Sequence, residues 1–202
     1  MHHEPWPKSP HLLEDIYTAA DAVVEGSLMI TLLKHCDRVR SASRAQLVNV
    51  IAPIMPRNTA RHGGRPRSTV RRSRPSRARP GLRSGHQLPH HPYRAYGDVP
   101  AIDAVVTWDE QARTGLLLAV NRDANTPHTL TIDLSGLPGL PGLGTLALGK
   151  AQLLHEDDPY RTNTAEAPEA VTPQPLGIAM NATGTCTATL PAISWISVEF
   201  HG

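Results

Sequence analysis

Aromatic residues and cysteines are scarce in this chain of 202 residues, which carries one Phe, three Trp, four Tyr and two Cys. Cys36 and Cys186 lie 150 residues apart, and neither belongs to a Cys-x-x-Cys or Cys/His spacing. We therefore expect isolated thiols, with neither a disulfide framework nor a bound metal or other cofactor.

Long apolar runs are also missing. No stretch approaches the roughly 20 apolar residues of a membrane span. The opening MHHEPWPKSP lacks the basic and then apolar layout of a signal peptide. We therefore expect a cytoplasmic protein with no membrane partner.

Acidic residues are absent from Arg57–Arg94, although these 38 residues hold eleven of the twenty basic residues. The rest of the chain has 9 basic and 18 acidic residues. It therefore carries a formal charge of −9, whereas the whole chain stands at +2. A remainder this acidic is typical of soluble cytosolic proteins and argues against a dedicated nucleic-acid binder.

One interpretation of Arg57–Arg94 is a basic nucleic-acid-binding arm. Eleven arginines would bind a phosphate backbone with an affinity that falls steeply in salt. Tyr93 is the only aromatic residue of the stretch, however, so it lacks a stacking platform for bases. It also shows no helical stripe, no RGG or SR periodicity and no zinc spacing, and it interrupts the chain. We expect no nucleic-acid partner.

The other interpretation is a shifted reading frame. Wrong-frame translation of GC-rich DNA over-produces Arg, Pro, Gly, Ser, Ala and His, which is the composition of this stretch. With permissible codons, MPRNTARHGGRP can be decoded in a neighbouring frame as M-T-A-E-H-G-A-A-W-R-Q-T. In the third frame SGHQLPHHPYR can be decoded as P-A-T-S-S-P-T-T-P-T-A. We therefore interpret residues 56–94 as a frameshifted, disordered segment.

The sequence before this segment predicts one long helix over residues 10–39. Ser9 is a candidate N-cap, and Pro10 suits the first helical position. Apolar positions run almost all round this helix, which indicates packing on more than one neighbour. Residues 42–54 include the apolar run AQLVNVIAPI and predict a buried parallel strand. A helix followed by a buried strand is half of a repeating βα unit.

The sequence after the segment predicts an all-β domain. Polar connections such as DEQAR and RDANTP separate short apolar stretches at intervals of roughly ten residues. Ile196, Val198 and Phe200 share one face of the last strand. This pattern is typical of a β-sandwich of the jelly-roll kind. The predicted strands are residues 102–108, 114–121, 128–134, 145–155 and a pair on either side of Pro191.

These flanking sequences resemble a known family. PHLLEDIYTAADAVVEGSLMITLLKHCDRVRSASRAQLVNVIAPIM resembles the end of the catalytic barrel of intracellular α-L-arabinofuranosidases of glycoside hydrolase family 51. AYGDVPAIDAVVTWDE, GLLLAVNRD and LPAISWISVEF resemble that family's C-terminal β-sandwich. The resemblance implies one helix and one strand of a (β/α)8 barrel followed by an all-β jelly-roll sandwich. On this mapping residues 1–55 are the barrel remnant, 56–94 the Arg/Pro-rich segment and 95–202 the sandwich domain.

The resemblance also implies an activity, that of a homo-oligomeric retaining glycosidase. Its members release terminal α-L-arabinofuranosyl residues from arabinan or arabinoxylan oligosaccharides. Such enzymes use two carboxyl groups about 5–5.5 Å apart, one protonated and one ionised. In the family one glutamate lies in an Asn-Glu pair and the other in a Glu-Trp-Asn stretch, and neither motif occurs in this chain. The Glu-Trp-Asn stretch would lie shortly upstream of Met1, so we assign no catalytic residue and expect the chain by itself to be inactive.

One substrate contact is carried over by the resemblance. The Gln of the family's AQLVN motif lies at the mouth of the last barrel strand and hydrogen-bonds the arabinose, and here it is Gln46. A side-chain amide suits this task because it both donates to and accepts from sugar hydroxyls. The alternative interpretation of Gln46 is a polar residue that caps the open end of a strand.

Histidines and acids elsewhere have structural interpretations that we favour. The histidine pairs at 2–3 and 90–91 predict adventitious metal binding, because adjacent side chains point in different directions. Glu4 and Trp6 predict surface residues, although a carboxylate beside an aromatic ring could bind a sugar. HEDDPY, which begins at His155, lacks the alternating ligand spacing of a calcium loop and predicts a solvated turn.

Two tryptophans bear on an alternative function, a stand-alone carbohydrate-binding sandwich. Such a module would expose tryptophans, whereas Trp108 and Trp195 fall in predicted strands and are expected in the core. The helix has few candidate packing partners in this chain. We therefore expect residues 10–54 to expose apolar surface and to aggregate or be poorly ordered, while the sandwich persists.

Overall fold

A computed structural model of the chain describes residues 16–43, 79–80, 90–93, 97–137, 146–164 and 166–202. One α-helix and eleven β-strands lie within these ranges. In chain order they are α1 (Ala19–Lys34), β1 (Arg79–Pro80), β2 (His90–Tyr93), β3 (Gly97–Pro100), β4 (Ile102–Asp109), β5 (Thr114–Asn121), β6 (His128–Asp133), β7 (Ala147–His155), β8 (Gln174–Pro175), β9 (Ala179–Met180), β10 (Thr185–Leu190) and β11 (Ser194–His201).

The strands form two sheets that share one core, and a separate two-stranded hairpin. The larger sheet has the order β1-β4-β5-β11-β7-β8, and the smaller has the order β6-β10-β9. Neighbouring strands are antiparallel in both, and β2 pairs with β3 in the same way. This arrangement confirms the β-sandwich that the second half of the sequence predicts.

β5 and β11 lie at the centre of the larger sheet and pair along their whole lengths. Gly115 of β5 lies opposite Phe200 of β11. A Cβ atom on Gly115 would come within 3.0 Å of the Phe200 ring and 2.7 Å from the carbonyl oxygen of Thr107. The missing side chain therefore makes room for the Phe200 ring, which stacks on Trp108 with ring centroids 5.8 Å apart.

The main core lies between the two sheets. Ile196, Val198 and Phe200 all point into it and are at most 2% exposed, which confirms their predicted common face. Trp108 is 3% exposed in the same cluster, which confirms its interpretation as core. Burial of such side chains is worth about 1.5–3 kcal/mol each, so this cluster stabilises the sandwich substantially. Its buried members are Ile102, Val106, Trp108, Leu117, Ala119, Leu130, Ile132, Leu134, Leu137, Leu146, Cys186, Ala188, Leu190, Ile196, Val198 and Phe200.

The strand predictions are confirmed, with small shifts at the ends. β5 has its predicted bounds, and β4, β6 and β7 differ from prediction by one or two residues at one end. Pro191 separates β10 from β11, as expected for a residue that cannot donate to a ladder. The sequence prediction missed the five short strands β1, β2, β3, β8 and β9. β1 and β2 lie inside the segment 56–94 that was expected to be disordered, and they are defined by their pairing with β4 and β3, not by a local apolar pattern. β8 lies in a Pro-rich stretch that was expected to be a loop.

The helix prediction is wrong at both ends. α1 ends at Lys34, five residues before the predicted end at residue 39. Residues 16–18 are not helical, and α1 begins at Ala19 with Thr18 as its N-cap. The proposed cap at Ser9, like residues 1–15 generally, lies outside the described residues, and so does the predicted strand from residue 44 onward. Thr18 and Asp21 form a capping box, a signal that the prediction overlooked in favour of Ser9 and Pro10.

Candidate functional site

The predicted substrate contact, Gln46, lies outside the described residues, as do Glu4, Trp6 and the histidine pair at 2–3. His90 and His91 occupy successive positions of β2. The part of the structure that connects the predicted barrel sequence to the sandwich is the junction of α1 with the larger sheet. We define this junction as the face of α1 that contacts β4, β5 and β11.

Small residues allow α1 to lie close against the sheet. A Cβ atom on Gly26 would come within 3.0 Å of Trp195 and 3.2 Å from Cγ1 of Val120. Ile30 is fully buried one turn further along. Trp195 is 9% exposed, so its interpretation as core is confirmed, but it packs under the helix and not between the sheets. The buried members of this second cluster are Ala19, Ala22, Val23, Ile30, Val105, Leu118, Val120, Leu154, Val171 and Trp195.

The N-terminus of α1 is held by the loop that follows β7. Thr18 accepts a hydrogen bond from the backbone N–H of Asp21 at 3.3 Å, and the Asp21 carboxylate accepts one from the backbone N–H of Thr18 at 2.8 Å. The first two residues of α1 donate their backbone N–H groups to carbonyl oxygens of the sandwich. Ala19 donates to Arg161 at 3.0 Å, and Ala20 donates to Pro159 at 2.9 Å. Four N–H groups lack partners within a helix at this end, and these contacts satisfy several of them.

Polar contacts hold the rest of α1. Lys34, in its last turn, forms an ion pair with Asp103 of β4. Arg122, just after β5, donates from Nη1 to the hydroxyl of Ser27 at 3.4 Å and from Nη2 to the carbonyl oxygen of Pro100 at 2.7 Å. The helix is therefore fixed to the sandwich at its start, middle and end.

The opposite face of α1 exposes an apolar stripe. Val24 is 59% exposed, Leu28 58% and Leu32 40%. The expectation that this region exposes apolar surface is confirmed. The chain was expected to offer few packing partners for the helix, but the other face of α1 is buried on the larger sheet.

A buried carboxylate organises the turn between β5 and β6. Asp123 is 5% exposed, and its Oδ1 accepts hydrogen bonds from the backbone N–H groups of Asn125 at 2.9 Å and Thr126 at 3.1 Å. Its Oδ2 lies 3.0 Å from Nε2 of His128. Both oxygens are thus engaged by the turn itself, so Asp123 stabilises the loop.

The amide of Asn121 joins the same turn to β10. Its Nδ2 lies 2.9 Å from the carbonyl oxygen of Thr126, 3.1 Å from that of Leu190 and 2.8 Å from that of Pro191. Its Oδ1 accepts from the backbone N–H of Asp123 at 3.0 Å. Asn121 is fully buried, so these bonds replace the water that its amide would otherwise need.

Two titratable groups of the sandwich have a shifted pKa. Hydrogen bonds from the side chain and backbone of Ser135 lower the pKa of the exposed Asp133 carboxyl. Burial raises the pKa of the Cys186 thiol above its ordinary value near 9.0. Both effects belong to the sandwich fold, since Asp133 ends β6 and Cys186 lies in the core.

The predicted solvated turn at HEDDPY has a structural role. Asp158 Oδ1 accepts a hydrogen bond from the backbone N–H of Tyr160 at 3.0 Å, and the adjacent carbonyls of Pro159 and Arg161 cap α1. Among the described residues, no group of three His, Cys, Asp or Glu side chains could hold a metal ion. In the same part of the chain, no helix has the length and apolar character needed to cross a membrane.

The fold and the junction together define a β-sandwich with a helix docked on its outer face. The sequence pattern of the α-L-arabinofuranosidase C-terminal domain matches residues 1–194. The chain belongs to this family, and it corresponds to the C-terminal part of a family 51 α-L-arabinofuranosidase.

Two relatives of this chain come from Bifidobacterium longum. An intracellular exo-α-(1→5)-L-arabinofuranosidase is 80% identical over 210 residues, which cover 100% of this chain and 36% of the relative. An exo-α-(1→6)-L-arabinofuranosidase is 42% identical, with 96% of this chain and 37% of the relative covered. The chain thus spans about a third of the length of these relatives.

Solved structures agree with this family assignment. A family 51 α-L-arabinofuranosidase from Bifidobacterium longum superposes with a TM-score of 0.75 and 72% identity, covering 100% of this chain and 37% of that one. A family 51 arabinofuranosidase from Xanthomonas axonopodis pv. citri shares the fold at a TM-score of 0.69 and 21% identity. The match covers 98% of this chain and 38% of that one. The stand-alone carbohydrate-binding sandwich and the nucleic-acid binder gain no support from these comparisons.

Proposed function

We propose that this chain supplies the C-terminal part of an intracellular, retaining α-L-arabinofuranosidase and has no glycosidase activity of its own. The observation that carries the proposal is 80% identity along the whole chain to an enzyme named as an intracellular exo-α-(1→5)-L-arabinofuranosidase. The proposed substrates of the complete enzyme are terminal α-L-arabinofuranosyl residues of arabinan or arabinoxylan oligosaccharides. We place it in the cytoplasm and expect the complete enzyme to form homo-oligomers.

Two carboxyl groups perform the chemistry of such an enzyme. One protonates the leaving oxygen while the other attacks the anomeric carbon, and water then releases the sugar with retained configuration. The Asn-Glu and Glu-Trp-Asn motifs expected to carry these groups do not occur in the 202 residues. In the complete enzyme, Gln46 would donate to and accept from arabinose hydroxyls.

The role of α1 follows from its two faces. One face is buried on the sandwich, while Val24, Leu28 and Leu32 form an apolar stripe on the other. We propose that this stripe packs on the remaining helices of a (β/α)8 barrel and that the segment with Gln46 is one of the barrel's strands. The sandwich, of jelly-roll topology, would then hold α1 in place and so support the barrel beside the sugar site.

The stretch Arg57–Arg94 is proposed to be a frameshifted segment. An identity of 80% over 210 aligned residues amounts to about 168 identities. Without these 38 residues, 164 of the chain's 202 residues are left. The two numbers are close, as expected if the chain and its relative are nearly identical outside the stretch and differ within it. Two short strands, β1 and β2, lie inside the stretch.

Activity assays test the first proposal. The purified 202-residue chain should not hydrolyse an aryl α-L-arabinofuranoside, whereas the intact Bifidobacterium longum enzyme, assayed beside it, should. Turnover that co-purifies with the chain through several columns would refute the proposal that it lacks activity.

Gln46 can be tested in a chimera. The upstream two thirds of the Bifidobacterium longum enzyme would be joined to this chain, with Arg57–Arg94 replaced by the relative's own residues. Gln46→Ala should lower kcat/KM by about tenfold, the cost of one or two hydrogen bonds to a neutral sugar. Gln174→Ala, on the exposed strand β8, is the matched control and should leave kcat/KM unchanged.

The gene sequence tests the frameshift. Codons 54–96 should spell the decoded fragments in the neighbouring frames, with compensating shifts at the two ends. An uninterrupted frame that encodes the arginines in independent isolates would show that the segment is a true part of the protein.

A further inference from the structure

We propose that the 202-residue chain, prepared by itself, forms a symmetric dimer in which two copies of α1 pack antiparallel through the stripe Val24, Leu28 and Leu32. This inference concerns the chain without the upstream residues that are proposed to cover the stripe in the complete enzyme, and it does not rest on the proposed function. It starts from an apolar surface that the sandwich leaves exposed, with Val24 at 59% and Leu28 at 58%.

The spacing of the stripe suits a two-fold pair. Its three residues are four positions apart, so they form one ridge along a helix, and such ridges interdigitate when two helices pack. If the two-fold axis passes Leu28, the two copies of Leu28 meet, and Val24 of each copy lies opposite Leu32 of the other. The same residues then contact each other in both directions, as an isologous interface requires.

Charge complementarity selects the antiparallel arrangement. The exposed Asp21 lies at the start of α1, and the exposed His35 and Arg38 follow its end. In the register centred on Leu28, Asp21 of each copy lies opposite His35 of the other and about one turn from its Arg38, whose guanidinium carries the positive charge. Antiparallel helix dipoles also attract, whereas a parallel pair would place Asp21 beside Asp21 and Arg38 beside Arg38.

The helix can present this stripe because its inner face is already fixed. Capping contacts, the ion pair of Lys34 with Asp103 and the contact of Gly26 with Trp195 hold α1 on the sheet. Little ordering is therefore needed on pairing. One pair of short helices covers less than the roughly 1,200 Å² of a stable interface, so the dimer should dissociate on dilution.

Sedimentation equilibrium over a wide concentration range tests the dimer. The wild-type chain should show a reversible monomer–dimer equilibrium. Leu28→Glu should weaken it by about tenfold or more, because two buried carboxylates would meet on the axis. Tyr160→Glu, at a residue 76% exposed and outside the stripe, is the control and should not change it. Circular dichroism should show unchanged folding in both variants.

Cross-linking tests the register. In a Cys36→Ser background, Leu28→Cys should form a disulfide-linked dimer on mild oxidation. Thr31→Cys should not, because the two copies of residue 31 would be about 9 Å apart along the axis. A monomer at all concentrations, or equal cross-linking of both variants, would overturn the proposal. The proposal would also be overturned if the chain formed no dimer and its stripe bound only the upstream region of the Bifidobacterium longum enzyme, produced separately.

Discussion

Gly26 of α1 lies directly over the indole ring of Trp195 in β11, so close that a Cβ atom there would come within 3.0 Å of two ring atoms. The helix therefore approaches the sheet more closely than any residue with a side chain would permit. This contact joins the sequence predicted to belong to a barrel with the sequence predicted to form a sandwich.

Replacing Gly26 with Ala should destabilise the protein. Alanine gains about 1 kcal/mol in helix propensity, but forcing a methyl group into a close-packed contact costs about 1–3 kcal/mol. We expect a net loss of up to about 2 kcal/mol, measured by urea denaturation.

Gly177→Ala is the matched control, since nothing lies within 4 Å of a Cβ atom at that position. Trp195→Phe should relieve part of the clash, so Gly26→Ala should cost less in that background. A stabilising effect of Gly26→Ala in the native chain would contradict the close contact.

The capping box should matter more than other threonine contacts of α1. Thr18→Ala removes the side chain that accepts from the backbone of Asp21, and the loss of an N-cap costs about 1 kcal/mol. Thr31→Ala, which removes only a bond to the carbonyl oxygen of Ser27 one turn earlier, should be nearly neutral. Equal effects of the two variants on the free energy of unfolding would show that the helix begins elsewhere.

Asn121 is expected to be among the most sensitive polar positions. Asn121→Ala removes the amide that donates to the carbonyl oxygen of Leu190 in a buried bond and to those of Thr126 and Pro191 in partly buried ones. We expect a loss of roughly 2–4 kcal/mol, because each unsatisfied buried group costs about 1–3 kcal/mol. Asn125→Ala, at an exposed position of the same turn, should change the stability little, and thermal unfolding distinguishes the two.

Cys186 should make stability fall at alkaline pH. Burial raises its pKa above the ordinary value near 9.0, so the native thiol keeps its proton where the unfolded thiol loses it. The resulting stability is fully present below the unfolded pKa and is lost as the pH rises through the raised native pKa. The urea midpoint of wild type should therefore fall more steeply above pH 9.0 than that of Cys186→Ala.

The two cysteines should also differ in reactivity. Cys36 is half-buried and Cys186 is buried, so a thiol reagent should modify Cys36 in the native protein and Cys186 only on unfolding. Rapid modification of both thiols in the native state would place Cys186 outside the core.

The strands of the sandwich could be predicted because their apolar residues alternate and turn residues separate them. β11 shows this directly, with Ile196, Val198 and Phe200 in the core between the sheets. β8 and β9 could not be predicted, because two residues contain no period and their pairing depends on β7 and β10.

The docking of α1 left a signal in the sequence that was not used. β5 reads TGLLLAVN, and its residues Leu117 to Asn121 are all buried, which indicates a strand covered on both faces. The apolar positions around the helix predicted more than one neighbour, whereas in the described residues α1 packs on one, the larger sheet of the sandwich. The contact of Gly26 with the Trp195 ring could not be predicted, because it depends on packing between two segments that are far apart in the sequence.

Because α1 fits the outer surface of the larger sheet so closely, the two surfaces can change in evolution only in concert. A protein engineer who grafted residues 95–202 onto another enzyme would leave Trp195 and Val120 bare to water. The transplantable unit must also carry residues 16–39, so it is assembled from two pieces of the gene.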